Sequence, residues 1–155
     1  VISVMSGEQD RIDIAQAAAQ QLQEIGINCT VDIPAQMDWG GQMACLIGWG
    51  SPFDADDHTY KVFGTDKGAN YSGYSNEKVD EYLTLARQYE DQETRAKYYD
   101  LFQEELAKDP AYAFICYIDA NYVADSDIKG ISEKTVLGHH GVGIFWNIQE
   151  WEIVK

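Results

Sequence analysis

The sequence has no stretch approaching the roughly 18 uninterrupted apolar residues that a membrane-crossing helix needs. It is also poor in positive charge. Eleven Lys and Arg stand against 26 Asp and Glu, a formal net charge of −15. Phosphate binding rests on Lys and Arg, so nucleic acid is not an expected partner. The carboxylate excess reads first as a solvated acidic surface, with cation attraction as the lesser alternative. Cysteine is scarce, and Cys29, Cys45 and Cys116 form no CxxC pair. That spacing supports neither a zinc site nor a disulfide framework, and three buried thiols acting as small hydrophobes are expected. No HExxH, GxSxG, phosphate loop or Cys–His signature is present. Internal repeats and low-complexity tracts are absent as well. The chain starts at Val1 with no initiator Met and no basic secretion leader. Its opening VISVM reads as a core strand of a longer polypeptide, with any export signal upstream.

What is present is a globular composition, 45% hydrophobic and 12% aromatic, over 155 residues. That length suits a single domain, residues 1–155, with a core of its own. Residues 1–5 predict a buried strand. Residues 9–25 predict a helix with Ile14, Ala18, Leu22 and Ile25 on one face and Gly26 as its left-handed stop. Residues 27–33 alternate as a second strand, so a parallel pair with a helical crossover is expected. Residues 43–49 read as a central strand, and residues 54–63 as a short helix after an acidic turn. Residues 64–75 form a Gly-containing loop. Two helices follow. Ser75 or Asn76 caps the first, with Val79, Leu83 and Ala86 inward, and Asp91 caps the second, with Tyr98, Phe102 and Leu106 inward. Asp109-Pro110 stops the second helix. Residues 111–118 (AYAFICYI) read as a strand, and residues 125–155 as irregular.

Four stretches, in order, resemble one family. They are IAQAAAQQLQEIGINCTVDI, LIGWGSPFDADDHTYKVF, the long run from YSNEKVDEYL to DPAYAFICY, and GIFWNIQEW. The resemblance is to family 5 of the extracytoplasmic solute-binding proteins, the peptide, dipeptide and nickel receptors of ABC importers. It implies an α/β, periplasmic-binding-protein-like lobe with a mixed sheet flanked by helices. This chain would then be a C-terminal lobe segment of a two-lobed protein that closes on its ligand. It further implies capture of peptides or oligopeptides, with a nickel or other metal chelate as the alternative ligand, ABC permease subunits as partners, a monomer, no cofactor and no reaction. The implied location is extracytoplasmic, either periplasmic or lipid-anchored to the outer face of the membrane.

The resemblance places Trp49 in the ligand cleft, where an aromatic plane packs on the ligand. Peptide receptors of the family often carry an Asp three positions after that Trp, for the peptide amino group. Pro52 stands there in this sequence, and Asp54 is the nearest substitute. The string WGSPFD also resembles the nickel branch's W-G-x-P-Y-D, which aligns Phe53 with a pocket tyrosine. Tyr71 and the loop around it, with Asn70, Tyr74 and Asn76, are either ligand contacts or a cover for the sheet edge. The ligand-binding candidates are therefore Trp49, Phe53, Asp54, His58 and Tyr71. No metal site is expected, with His58, His139 and His140 as the candidates if one exists. Adjacent His139 and His140 point to opposite sides of an extended segment, which disfavours joint chelation. Two other classes remain open. One is a hydrolase using the Asp54, Asp56, Asp57 and His58 cluster, although acidic residues before a helix are more simply caps. The other is an interaction domain with an acidic face.

Overall fold

The computed structural model describes residues 1–41, 43–50, 54–119, 121–132 and 143–154. Phe53, His139 and His140 lie outside these. The chain forms two compact units, Val1–Gly48 and Trp49–Lys155.

In the first unit, strand β1 (Ile2–Ser3), helix α1 (Gln9–Glu24), strand β2 (Val31–Asp32) and strand β3 (Ala44–Cys45) build a three-stranded sheet of order β2–β1–β3. Both pairings are parallel, with Ile2 opposite Val31 on one side and Ala44 on the other. Backbone bonds carry the ladder past the strands proper, from Val4 N–H to the Asp32 carbonyl (2.9 Å) and from Ser6 N–H to the Pro34 carbonyl (3.0 Å). The expected parallel pair joined by a helix is present. The buried stripe of α1 is Ile12, Ala15 and Ala19, rotated from the expected face. Ile14, Ala18 and Leu22 are half-buried, and Ile25 is exposed. Val4, Ile12 and Ala15 form the core, with Ile2, Val31 and Leu46 packed on it.

Gly26 ends α1 as expected, at φ +86°. Its N–H donates to the Gln23 carbonyl (3.0 Å) and the next N–H, of Ile27, to that of Leu22 (2.9 Å). This two-bond motif satisfies helix-end carbonyls and needs a left-handed residue, which glycine adopts without a Cβ clash.

In the second unit, helices α2 (Asp56–Phe63), α3 (Glu77–Ala86) and α4 (Gln92–Lys108) are followed by an antiparallel pair, strands β4 (Ile128–Lys129) and β5 (Glu152–Ile153). A 3₁₀ stretch, Gly143–Glu150, precedes β5 and kinks at Asn147. Asn76 caps α3 by accepting from the N–H groups of Lys78 (3.0 Å) and Val79 (3.2 Å). Asp91 caps α4 by accepting from Thr94 N–H (2.8 Å). The core is Val79, Leu83, Phe102 and Leu106, with Tyr60, Phe63, Tyr74, Tyr82, Tyr99 and Ala111 against it. The expected stripes of both helices are thus the ones buried, with Tyr98 half-buried and stacked on Tyr89.

Residues 111–118 form no strand. Tyr112 and Phe114 reach the Phe63 ring, while Phe114, Ile115 and Tyr117 are exposed. Apolar alternation makes a strand only where a neighbour supplies the hydrogen-bond ladder, and β4 pairs with β5 instead. The cysteines also differ from expectation: Cys29 is buried, Cys45 half-buried and Cys116 exposed. Burial pushes the Cys45 thiol pKa up. Among the described residues, no helix is long and apolar enough to cross a membrane.

Candidate functional site

Trp49 opens the second unit just past the end of the β3 segment and is 38% exposed. Two rings hold it. Tyr71 lies nearly parallel, with centroids 6.2 Å apart at 14°, and His58 is tilted, at 5.5 Å and 45°. Three of the five candidates therefore meet in one aromatic group. The long polar loop makes this possible. Asn70 donates to the carbonyls of Gly64 (3.0 Å) and Tyr74 (2.7 Å) and accepts from Tyr74 N–H (3.0 Å), closing the turn that contains Tyr71. Thr65 N–H donates to Asp80 on α3 (2.8 Å) and ties the loop to that helix. Asn70 and Asn76 are thus spent on backbone and Tyr74 packs on the core, which leaves Tyr71 as the loop residue beside Trp49.

His58 sits on α2. Its Nδ1 lies 3.5 Å from Asp57 Oδ2, an approach that attracts a protonated ring but makes no hydrogen bond. Asp57 also accepts from Lys61 at 3.3 Å. Asp56 places Oδ2 3.3 Å from Arg87 Nε, while its buried Oδ1 has no hydrogen-bond partner. Tyr60, on the same helix, is flanked by the Arg87 guanidinium 4.0 Å from its ring centre and by the Lys67 ammonium at 4.9 Å.

Asp54 is engaged elsewhere. Its carboxylate accepts two bonds from Arg95 on α4, at 3.0 and 2.6 Å. It also accepts from the N–H of Asp56 at 2.8 Å, which supports the start of α2. The Arg95 bonds, then the Asp56 N–H, hold the Asp54 carboxyl below the usual carboxylate range. The same pairing pushes the Arg95 pKa further up. The three carboxylates of the expected cluster are therefore each held by a cation outside it, Asp54 by Arg95, Asp56 by Arg87 and Asp57 by Lys61, with the 3.5 Å Asp57–His58 approach left inside it. That arrangement supports a helix start more directly than a base–acid pair.

Among the described residues, no three His, Cys, Asp or Glu side chains gather as a metal site. Sequence reasoning missed Arg87 and Arg95. Each pairs with an Asp far away in the chain, and no local spacing rule reaches that distance.

A scan of protein-family models and a search of curated proteins give no match. Solved structures do match. NikZ from Campylobacter jejuni, solved in complex with Ni(L-His), superposes at a TM-score of 0.79 with 36% identity, covering 97% of this chain and 32% of its own. The oligopeptide-binding protein AppA from Bacillus subtilis, solved with a nonapeptide, superposes at a TM-score of 0.73 with 23% identity, covering 99% of this chain and 31% of its own. The chain spans about a third of the length of these relatives. Both carry the expected periplasmic-binding-protein-like α/β architecture. Over 97% of this chain 36% of the residues are identical to NikZ, and the fold it shares with NikZ and AppA is that of the family 5 solute-binding proteins, which the chain resembles.

Proposed function

We propose that this chain is the C-terminal lobe segment of a receptor that captures a small solute outside the cytoplasmic membrane and hands it to an ABC permease, without catalysing a reaction. One observation carries the reading: the Trp49–Tyr71–His58 ring group, in a chain 36% identical to a protein solved with Ni(L-His). A half-exposed aromatic plane offers area for a ligand at little entropic cost, and the tilted imidazole beside it extends that surface.

The solute favoured by this site is a metal–amino acid chelate. A free peptide amino terminus needs an unoccupied carboxylate near Trp49. Pro52 stands where many peptide receptors of the family place one, and Asp54 is engaged by Arg95. Peptide capture is the second reading, supported by the fold shared with AppA. Phe53 remains a candidate on the resemblance to W-G-x-P-Y-D alone. His139 and His140 remain metal candidates on residue type alone.

The test is native mass spectrometry of the full-length protein purified without added ligand, followed by titration with Ni(L-His). A co-purified metal chelate, with affinity reduced about tenfold or more by Trp49→Ala, is the expected result. Co-purified peptides select the second reading. No bound solute, and no thermal shift with Ni(L-His) or a peptide pool, overturns solute capture.

A further inference from the structure

We propose that Arg95 is a positioning residue of the solute site: through Asp54 it fixes the first turn of α2, and with it the His58 ring against which Trp49 packs. The contacts form a continuous path. Arg95 Nη1 and Nη2 grip the two Asp54 oxygens at 3.0 and 2.6 Å. Asp54 Oδ1 in turn accepts the N–H of Asp56, the first residue of α2, at 2.8 Å, and the Asp54 carbonyl accepts that of Asp57 at 3.2 Å. Two residues beyond Asp56, His58 meets the Trp49 ring.

The far end of the path is anchored too. Arg95 lies in the first turn of α4, its N–H bonded to the carbonyl of the cap residue Asp91 (3.1 Å), and its guanidinium is 3.5 Å from the Tyr99 hydroxyl one turn on. Arg87, beyond the end of α3, braces Asp56 in the same α2 turn from a second helix. Both anchoring helices bury their apolar stripes in the core of the unit, so the turn beside Trp49 is tied to that core.

An exposed ion pair contributes little to stability, which is a weak reason to join residues 41 apart. A two-pronged guanidinium–carboxylate contact does fix geometry, and lysine cannot reproduce it. This role rests on the solute-binding reading for its purpose, although the path itself does not depend on which solute binds.

The experiment labels the full-length protein with 5-fluorotryptophan. The ¹⁹F resonance of Trp49 is assigned with Trp49→Phe and compared in wild type, Arg95→Lys, Asp54→Asn and the double variant. Asp54→Asn keeps an acceptor for the Asp56 N–H and removes only the ion pair. The expected result is a shifted or broadened Trp49 resonance in both single variants, with those of Trp39, Trp146 and Trp151 in place. Ni(L-His) affinity should fall about three- to tenfold in each, and the double variant should be no worse than either single one. An unmoved Trp49 resonance in Arg95→Lys, or losses that simply add, overturns the proposal. Because the resonance is read without ligand, a wild-type protein that binds no solute sinks the solute reading while the Trp49 signal still decides the role of Arg95.

Discussion

The two units of the chain solve the problem of burying a core differently. In the second unit, α3 and α4 close on each other, and Val79, Leu83 and Ala86 are completely buried. In the first, a single helix of mostly small inward residues faces a three-stranded parallel sheet. Among the described large side chains there, only Val4 is sealed, while Met43 is 92% exposed and Ile25, Ile27 and Ile33 are also exposed. Parallel sheets are usually covered on both faces, and the first unit has one helix to offer. Local amphipathic pairing thus completes a core from within one sequence stretch, whereas a parallel sheet needs helices on two sides. The candidate site draws its rings and its arginine braces from the helical unit.

The largest test of this contrast is core truncation. Leu83→Ala should cost about 2–5 kcal/mol, because a sealed site between two helices cannot collapse into the cavity. Ile12→Ala should sit at the lower end of that range, its cluster having fewer members. Urea unfolding reads both, and equal losses would break the comparison.

A smaller effect sharpens it at the helix ends. Asn76→Ala should cost about 1 kcal/mol by leaving two α3 N–H groups without their acceptor. Gly26→Ala should cost about as much through φ +86° alone, since an added Cβ meets no atom within 4 Å there. Hydrogen exchange should localise the first loss to α3 and the second to α1. A change spread evenly over both units would mean that they unfold as one body.

The smallest effect is acid sensitivity. Asp54 is held below the usual carboxylate range first by Arg95, Asp91 first by the Thr94 hydrogen bond, and Glu105 first by Lys108, all in the helical unit. A carboxyl with a depressed folded pKa stabilises above its unfolded value, about 4, and that stabilisation is lost as pH falls through the folded value. Amide protection in α2 and α4 should therefore weaken as pH falls below about 4, and Asp54→Asn should flatten part of the dependence. Earlier loss in β1 and β2 would reverse the ranking of the units.

Helices are legible in the sequence because their signals are local. The cap at Asn76, the cap at Asp91, the stop at Gly26 and the stripe Val79–Leu83–Ala86 each lie within one or two turns, where 3.6-residue periodicity and backbone satisfaction act directly. The face of α1 is less legible. Ile14 and Leu22 match a helical stripe as well as Ile12 and Ala19 do, and only packing against the sheet selects between them. Residues 111–118 mislead for a related reason, since a strand is defined by its partner. In the site, the family pattern marks Trp49, loop composition adds Tyr71 and nearness in sequence adds His58, but none of these signals gives their contact.

By itself, then, the sequence determined where the helices start and stop, which of the α3 and α4 residues turn inward, and the family whose ordered motifs it carries. These follow from interactions within a few residues and from side-chain type. The tertiary structure decided which of several acidic residues stay available. Asp54 is claimed by Arg95, 41 positions away, and Asp56 by Arg87. It also decided that the Trp49, Tyr71 and His58 rings meet. Pairings at that separation depend on how helices pack, which periodicity and propensity do not encode.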